Sequence, residues 1–198
     1  VFRGGMDFLL RVDAQEAPGT MMNTIAVRQA ALSDIDALAA LFNAYRQFYG
    51  RESDVDAARA FLVARFAHGE SVLLLAFQGS RPVGFTQLYP SFSSVSLARI
   101  FVLNDLFVES SARKQGVAGK LLSAAVAFAE TVGAVRLSLS TAVTNKTAQS
   151  LYEASGWKRD EAFLSYGFSI PAECEAPAHS RRSPQERTGR SGGVQGAA

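Results

Sequence analysis

The sequence holds one cysteine, Cys174, so no disulfide can form within the chain and a reducing, cytoplasmic compartment is expected. It holds two histidines, His68 and His179, far apart and without ligand partners at metal spacing, so no metal site is expected. No apolar run approaches the roughly 18 residues of a membrane-spanning helix, which leaves no membrane partner to expect. Residues 1–22 lack an apolar stretch long enough for a signal peptide. They read as a flexible upstream extension, with the natural start expected at Met21 or Met22. Charge of one sign is scarce too. A formal net charge of +2 is too small to suggest an obligate nucleic-acid binder. Part of the basicity behind a pI of 8.9 sits in Arg181, Arg182, Arg187 and Arg190, which reads as a solvated tail. Two phosphate signatures are also missing. No G-x-x-x-x-G-K-[ST] occurs, against ATP chemistry, and no G-x-G-x-x-G follows the first strand, against a dinucleotide fold.

What is present suits one compact domain: 198 residues, 48% hydrophobic. Residues 1–22 form the extension, 23–170 alternate periodic segments, and 171–198, rich in Pro, Ser, Gly, Gln and Arg, read as a disordered tail. Thr24–Arg28 alternates as a first strand. A capping pattern at Ser33 opens a helix with Ile35, Leu38, Phe42, Tyr45 and Tyr49 on one face, ended by Gly50. A second, at Ser53 to Asp56, opens one with Val55, Ala58, Leu62 and Phe66, ending near Gly69. Strands are predicted over Ser71–Phe77, Pro82–Tyr89 and Arg99–Val108, the first two joined by a Gly79-Ser80 turn. A helix follows over Val117–Val132, then a strand over Val135–Ser140, a helix over Thr147–Ser155 and a last strand over Ala162–Ile170. This order gives an α/β fold, a mixed sheet covered by helices.

The segment Leu103–Leu122 carries the chemistry. A strand ends at Val108, and a turn with Gly116, Ala118 and Gly119 leads straight into a helix, leaving little side chain over its first N–H groups. Such a terminus offers unpaired donors and the positive end of the helix dipole, and so binds phosphate. Arg113, Lys114 and Lys120 add positive charge, and the implied ligand is a pyrophosphate. The competing explanation is that these glycines only permit tight strand–helix packing.

Arg113-Lys114-Gln115-Gly116-Val117-Ala118 matches the R/Q-x-x-G-x-G/A signature of the GNAT acetyltransferases, and Leu106-Phe107-Val108 the strand before it. Asn145, Ala148, Leu151-Tyr152-Glu153 and Gly156-Trp157 match that family's N-x-x-A-x-x-[LF]-Y-x-x-x-G-[FW]. From about Thr24 to Ile170 the chain therefore resembles the GNAT superfamily of N-acetyltransferases. The resemblance implies a mixed, mostly antiparallel twisted sheet of six to seven strands flanked by about four helices, with acetyl-CoA as co-substrate. It implies that the amides around Gln115, Gly116, Val117, Ala118 and Gly119 hold the pyrophosphate, with Arg113 and Lys114 beside them. The backbone of Asp105, Leu106, Phe107 and Val108 would pair with the pantetheine arm like an added strand. That requires the strand to splay from its neighbour, for which a bulge is the usual device. The N–H of Val108 would face the thioester oxygen. Tyr152 would be the general acid for a thiolate whose conjugate acid has a pKa of about 8.5, against simple packing of its helix. Asn145 would cap the last helix, touch the cofactor, or both.

An alkylamine, with a pKa of roughly 10.4, must lose a proton before attacking. Around Leu103-Asn104-Asp105-Leu106-Phe107-Val108 the sequence resembles the polyamine and diamine acetyltransferases, in which the position before the Asp often carries a proton-accepting glutamate. Here that position is Asn104, which leaves Asp105, ahead of Glu109, as the candidate base. The acceptor pocket would draw on Tyr45, Tyr49 and Glu52, near Arg51 and Asp54, and on Phe92 in the segment Tyr89–Ser94. Acidic and aromatic groups together suit a small cationic amine. A protein lysine or N-terminus as acceptor, and a non-catalytic acetyl-CoA-binding module, are the other readings. Cys174 lies outside the matching region, so direct transfer in a ternary complex is expected over an acetyl-cysteine. Dimers are common in the resembled family, which makes a homodimer an expectation for this chain.

Overall fold

The computed structural model describes residues 24–170, which divide at Arg159 into two units, 24–159 and 160–170. The expectations for residues 1–22 and 171–198, including Cys174 and His179, lie outside the described residues. The first unit is one five-stranded sheet in the order β1-β2-β3-β4-β5, with four α-helices. Its strands are β1 (Ile25–Gln29), β2 (Val72–Gln78), β3 (Arg81–Ser93), β4 (Ala98–Val108) and β5 (Arg136–Ser138). The first three pairings are antiparallel and β4–β5 is parallel. The helices are α1 (Ile35–Phe48), α2 (Val55–His68), α3 (Val117–Thr131) and α4 (Lys146–Ala154).

Both faces of the sheet are covered, because its strands are apolar on both sides. On one face Leu73, Leu75, Phe85 and Phe107 pack against Leu38, Leu41 and Phe42 of α1 and Leu62 of α2. On the other, Leu74, Val83, Leu88, Phe101, Leu103 and Val108 pack against α3. The α3 contribution is Val117, Leu121, Leu122 and Ala125, one face of a 3.6-residue period.

The helix caps fall one residue later than expected. A 3₁₀ turn, Leu32–Asp34, precedes α1, and the Asp34 carboxylate, rather than Ser33, accepts the Ala31 N–H (2.8 Å). Arg28 grips the same carboxylate through two nitrogens (2.7 and 2.8 Å). Asp54, rather than Ser53, caps α2 by accepting the Ala57 N–H (2.8 Å). Buried Asn43 then ties α1 to the start of α2, donating to Ser53 Oγ (2.9 Å) and accepting the Asp54 N–H (2.8 Å).

The expected six to seven strands are corrected to five among the described residues. Ala162–Ile170 forms no strand, and Phe163, Leu164, Tyr166, Phe168 and Ile170 are exposed. Apolar alternation marks a segment able to join a ladder, but a strand exists only where a partner accepts its hydrogen bonds. In this second unit the Asp160 carboxylate instead accepts the N–H groups of Ala162 (2.9 Å) and Phe163 (3.0 Å), which turns the chain locally.

Gly84 has a packing reason. A Cβ there would stand 2.6 Å from the carbonyl oxygen of Phe107, on the neighbouring strand. Gly84→Ala is therefore expected to push β3 from β4 and cost about 1–3 kcal/mol, as overpacking does. Urea unfolding with an unchanged midpoint would show that the two strands separate without cost.

Candidate active site

The site begins with one extra residue in β4. Gln87 pairs with Asp105 and Leu88 with Leu103, so Asn104 is left without a partner on β3, a bulge. One added residue reverses which face every later side chain takes. Phe101 and Leu103 lie on the α3 face before it; Leu106 and Val108 lie there after it, while Phe107 joins the α1–α2 face.

Beside the bulge the sheet opens. β5 pairs with β4 only from Ile100 to Val102, so among the described residues no strand covers the outer edge of β4 from Leu103 to Val108. Glu109 donates its N–H to Val83 O (2.9 Å) and Thr86 Oγ1 donates to Asp105 O (2.8 Å), which fixes the backbone groups turned toward β3. By the alternation of an antiparallel ladder, the N–H groups of Leu106 and Val108 face the open side.

The chain then turns into α3 through two residues with positive φ, Lys114 (61°) and Gly116 (80°). Gly116 is the N-cap and has no side chain to offer. The first helical bond runs from Lys120 N to Gly116 O (3.1 Å), so the N–H groups of Val117, Ala118 and Gly119 have no intrahelical acceptor. A Cβ built at Gly116 or Gly119 meets no atom within 4 Å. Tight packing therefore does not account for either glycine. They leave space in front of the helix, and at Gly116 φ itself favours glycine.

Strand edge, turn and helix start border a cleft of about 610 Å³. Of the cofactor-site residues expected from sequence, Leu106, Phe107, Val108, Arg113, Lys114, Gly116, Val117, Ala118, Gly119 and Asn145 line it. Gln115 does not. Its side chain turns away, accepting from Gln78 Nε2 (2.8 Å) and donating to Ser111 O (3.0 Å). Two of the nearby cations are committed elsewhere. Lys120 Nζ donates to Ile25 O (2.8 Å), and Arg113 Nε donates to Val108 O (3.0 Å) with its guanidinium over the Phe48 ring (5.5 Å). Arg113 thus braces the strand end against α1.

Tyr152, from α4, also lines the cleft. Burial first, then neighbouring Tyr49, pushes its phenol above the ordinary range. Its ring lies 6.4 Å from that of Trp157, whose N–H it accepts at its own carbonyl (3.0 Å), so it both packs its helix and faces the cleft. Asn145 caps α4, its Oδ1 accepting the Ala148 N–H (3.2 Å), and lines the cleft as well.

Tyr45 and Tyr49 line the cleft, edge-on to each other at 5.1 Å. Glu52 and Phe92 do not. Glu52 is exposed in the α1–α2 connection. Phe92 pairs in register with Arg99 and lies under its guanidinium at 5.0 Å. That rung is about 17 Å along β4 from Asn104, at roughly 3.3 Å per residue. The two adjacent polar residues of β4 are also separated. Asn104 lines the cleft, whereas Asp105 is buried behind it, 4% exposed. Asn104 Nδ2 donates to both Asp105 oxygens (3.2 Å each), and burial first and then the same carboxylate push the Tyr45 phenol above its ordinary range. Glu109 is held by Arg81 (2.7 Å). Sequence reasoning missed Phe48, Asn104 as a lining residue, and Leu139–Thr141. The aromatic pair at the end of α1 was the one available signal for Phe48. Among the described residues no cluster could hold a metal ion, and no helix is long and apolar enough to cross a membrane.

Residues 36–157 match the model of the acetyltransferase (GNAT) family. The chain is 50% identical over 147 residues to YhfO, an uncharacterised N-acetyltransferase of Bacillus subtilis (strain 168), covering 74% of this chain and 99% of that protein. It is 32% identical over 126 residues to a probable acetyltransferase of Haemophilus influenzae, covering 63% of this chain and 84% of that protein. The crystal structure of a probable acetyltransferase, 45% identical, superposes with a TM-score of 0.71 over 75% of this chain and 99% of that one. An opened strand edge running into an uncapped helix, matched over most of its length by these relatives, places the chain in the GNAT acetyltransferase family.

Proposed function

We propose that this acetyltransferase moves an acetyl group from acetyl-CoA to a primary amine, a small cationic one, by direct attack within a ternary complex. The observation that carries this reading is the opened edge of β4, whose free N–H groups face a cleft with the uncapped start of α3 and Tyr152 in its lining.

The donor set suits coenzyme A, which the family uses. The thioester supplies an activated acetyl carbon and a good leaving group. Leu106 and Val108 offer backbone N–H groups where a further strand would pair, matching the amides of an extended pantetheine arm. Val117, Ala118 and Gly119 offer N–H groups, and Lys114 a charge, to a pyrophosphate. The Val108 N–H would hold the thioester oxygen as the amine attacks, and Tyr152 would give its proton to the departing sulfur. Asp105 would take the proton that the amine loses. Tyr45 and Tyr49 would present aromatic faces to the cationic acceptor, as the polyamine and diamine branch would require.

The direct test is thiol release from acetyl-CoA against diamines, polyamines, amino acids, aminoglycosides and a lysine peptide. Turnover with a small amine is expected. Turnover with the peptide alone would move the acceptor to protein lysines, and acetyl-CoA binding without any turnover would indicate a regulatory module.

Tyr152→Phe is expected to lower kcat about 100-fold, the scale of a lost general acid, with acetyl-CoA affinity unchanged in calorimetry. Because burial raises this phenol, its proton is present throughout the neutral range and lost only as pH rises through the raised value. The wild-type alkaline limb of kcat should accordingly lie above pH 10 and disappear in the Phe variant. A wild-type rate in that variant would leave Tyr152 a packing residue.

Gly119→Glu separates the two explanations of the turn. Open space around the position predicts a folded protein with an undiminished melting temperature. A carboxylate set before the helix start is expected to weaken acetyl-CoA at least tenfold. A lower melting temperature with normal affinity would restore the packing explanation.

A further inference from the structure

Asp105 is buried and does not line the cleft, so it cannot meet an amine there directly. On the α1–α2 face, in a core otherwise of Leu73, Leu75, Phe85 and Phe107, the bulge sets a small polar row. Asp105 on β4 is 4% exposed and pairs in register with Gln87 on β3, which is 0% exposed. Directly opposed residues of an antiparallel pair hold their Cβ atoms about 5 Å apart. Gln87 Nε2 donates to Ser71 Oγ (2.7 Å), but Gln87 Oε1 has no donor among the described residues. A buried acceptor without a donor is unusual enough to ask what fills the place.

Tyr45 connects this row to the cleft. Its ring packs edge-on against Phe85 (5.9 Å) and Phe107 (6.1 Å), it lines the cleft, and burial first and then the nearby Asp105 carboxylate push its phenol up. The titratable neighbours are few. Tyr49 stands beside Tyr45 on α1. Tyr89 on β3 senses Asp105, and the paired Arg65 and Glu70 at the end of α2 act on Tyr89.

We propose that Tyr45 is a catalytic relay that passes the amine's proton to Asp105, with Gln87 accepting the hydrogen bond of the carboxylic acid so formed. The inference rests on the amine-acetylation reading above. The ammonium's N–H bond breaks and an O–H bond forms at Tyr45 Oη, which frees the nitrogen's electron pair to bond to the acetyl carbon. The nitrogen's second proton, released once that bond has formed, replaces the one Tyr152 gave to sulfur. The original Tyr45 O–H bond breaks and an O–H bond forms on Asp105, so the phenol is regenerated and the carboxylate is neutralised. The new acid O–H is the donor that Gln87 Oε1 lacks. Exchange with water after product release returns the proton.

The test is the pH dependence of kcat/KM for the amine turned over in the panel, in the wild type, Tyr45→Phe, Asp105→Asn and the double variant. Each single variant should lose about 100-fold near pH 7, as for a removed general base. The loss should shrink toward the wild-type rate as pH approaches about 10.4, where the free amine sheds its own proton. The double variant should lose no more than either single one, since both act on one path. A pH-independent loss, or multiplying losses, would make Tyr45 structural and overturn the relay. Equal profiles for wild type and Tyr45→Phe would overturn it too, leaving the amine reading intact. A wild type inactive on every amine would overturn both.

Discussion

One extra residue in β4 is the constraint on which the rest of the site depends. Without Asn104 as a bulge, Phe101, Leu103, Asp105 and Phe107 would share one face of a straight strand, which would place a carboxylate in the α3 core. With it, Asp105 and Phe107 pass to the α1–α2 face, where Phe107 completes an aromatic cluster with Phe85, Phe42 and Tyr45. The bulge also raises the local twist of the strand, at the level where β5 stops following β4. Face reversal and an open edge thus coincide, and the cleft is where they meet.

The open edge is a liability unless it has a use, since unpaired strand groups seek partners. Here the chain surrounds it instead of covering it. Arg113 folds back to cap the Val108 carbonyl and stacks on Phe48, so the strand end and the end of α1 hold each other in place. Lys120 reaches across to Ile25 and anchors the first turn of α3 to β1. These two cations look from sequence like phosphate ligands. In the structure they fix the elements whose backbone N–H groups remain free, and on the proposed reading recognition would fall mainly to amides and the helix dipole.

The sequence shows most of the fold because most elements advertise themselves by period: 3.6 for the helices, near-continuous apolar runs for β2 to β4. The turn into α3 and the place of Tyr152 beside the cleft were legible for another reason, as spaced motifs. Three things were hidden. The position of the bulge leaves no mark, because Leu103, Asp105 and Phe107 alternate as well as any straight strand, and only the resemblance asked for a bulge in this strand. The caps at Asp34 and Asp54 each follow a serine equally able to cap, and only the tertiary partners, Arg28 for one and Asn43 for the other, decide between them. The segment Ala162–Ile170 has strand composition without a ladder, a property of its surroundings and not of its residues. Glu52 and Phe92 were placed by charge and aromaticity alone, which say what a pocket needs but not which loop reaches it.

The placement of Asp105 behind Tyr45 has a physical logic on the proposed reading. A carboxylate facing the cleft would pair with an incoming ammonium and favour its charged form, which cannot attack. Set one side chain back, it draws the amine's proton through a phenol that burial and Asp105 itself keep protonated. Tyr152, also lining the cleft, is likewise kept protonated by burial. The amine would therefore meet two neutral hydroxyls, one to receive a proton and the other to give one. Asn104, whose amide cannot accept the proton as a glutamate would, instead donates to both oxygens of Asp105. On that reading Asn104 steadies the carboxylate that would take the proton.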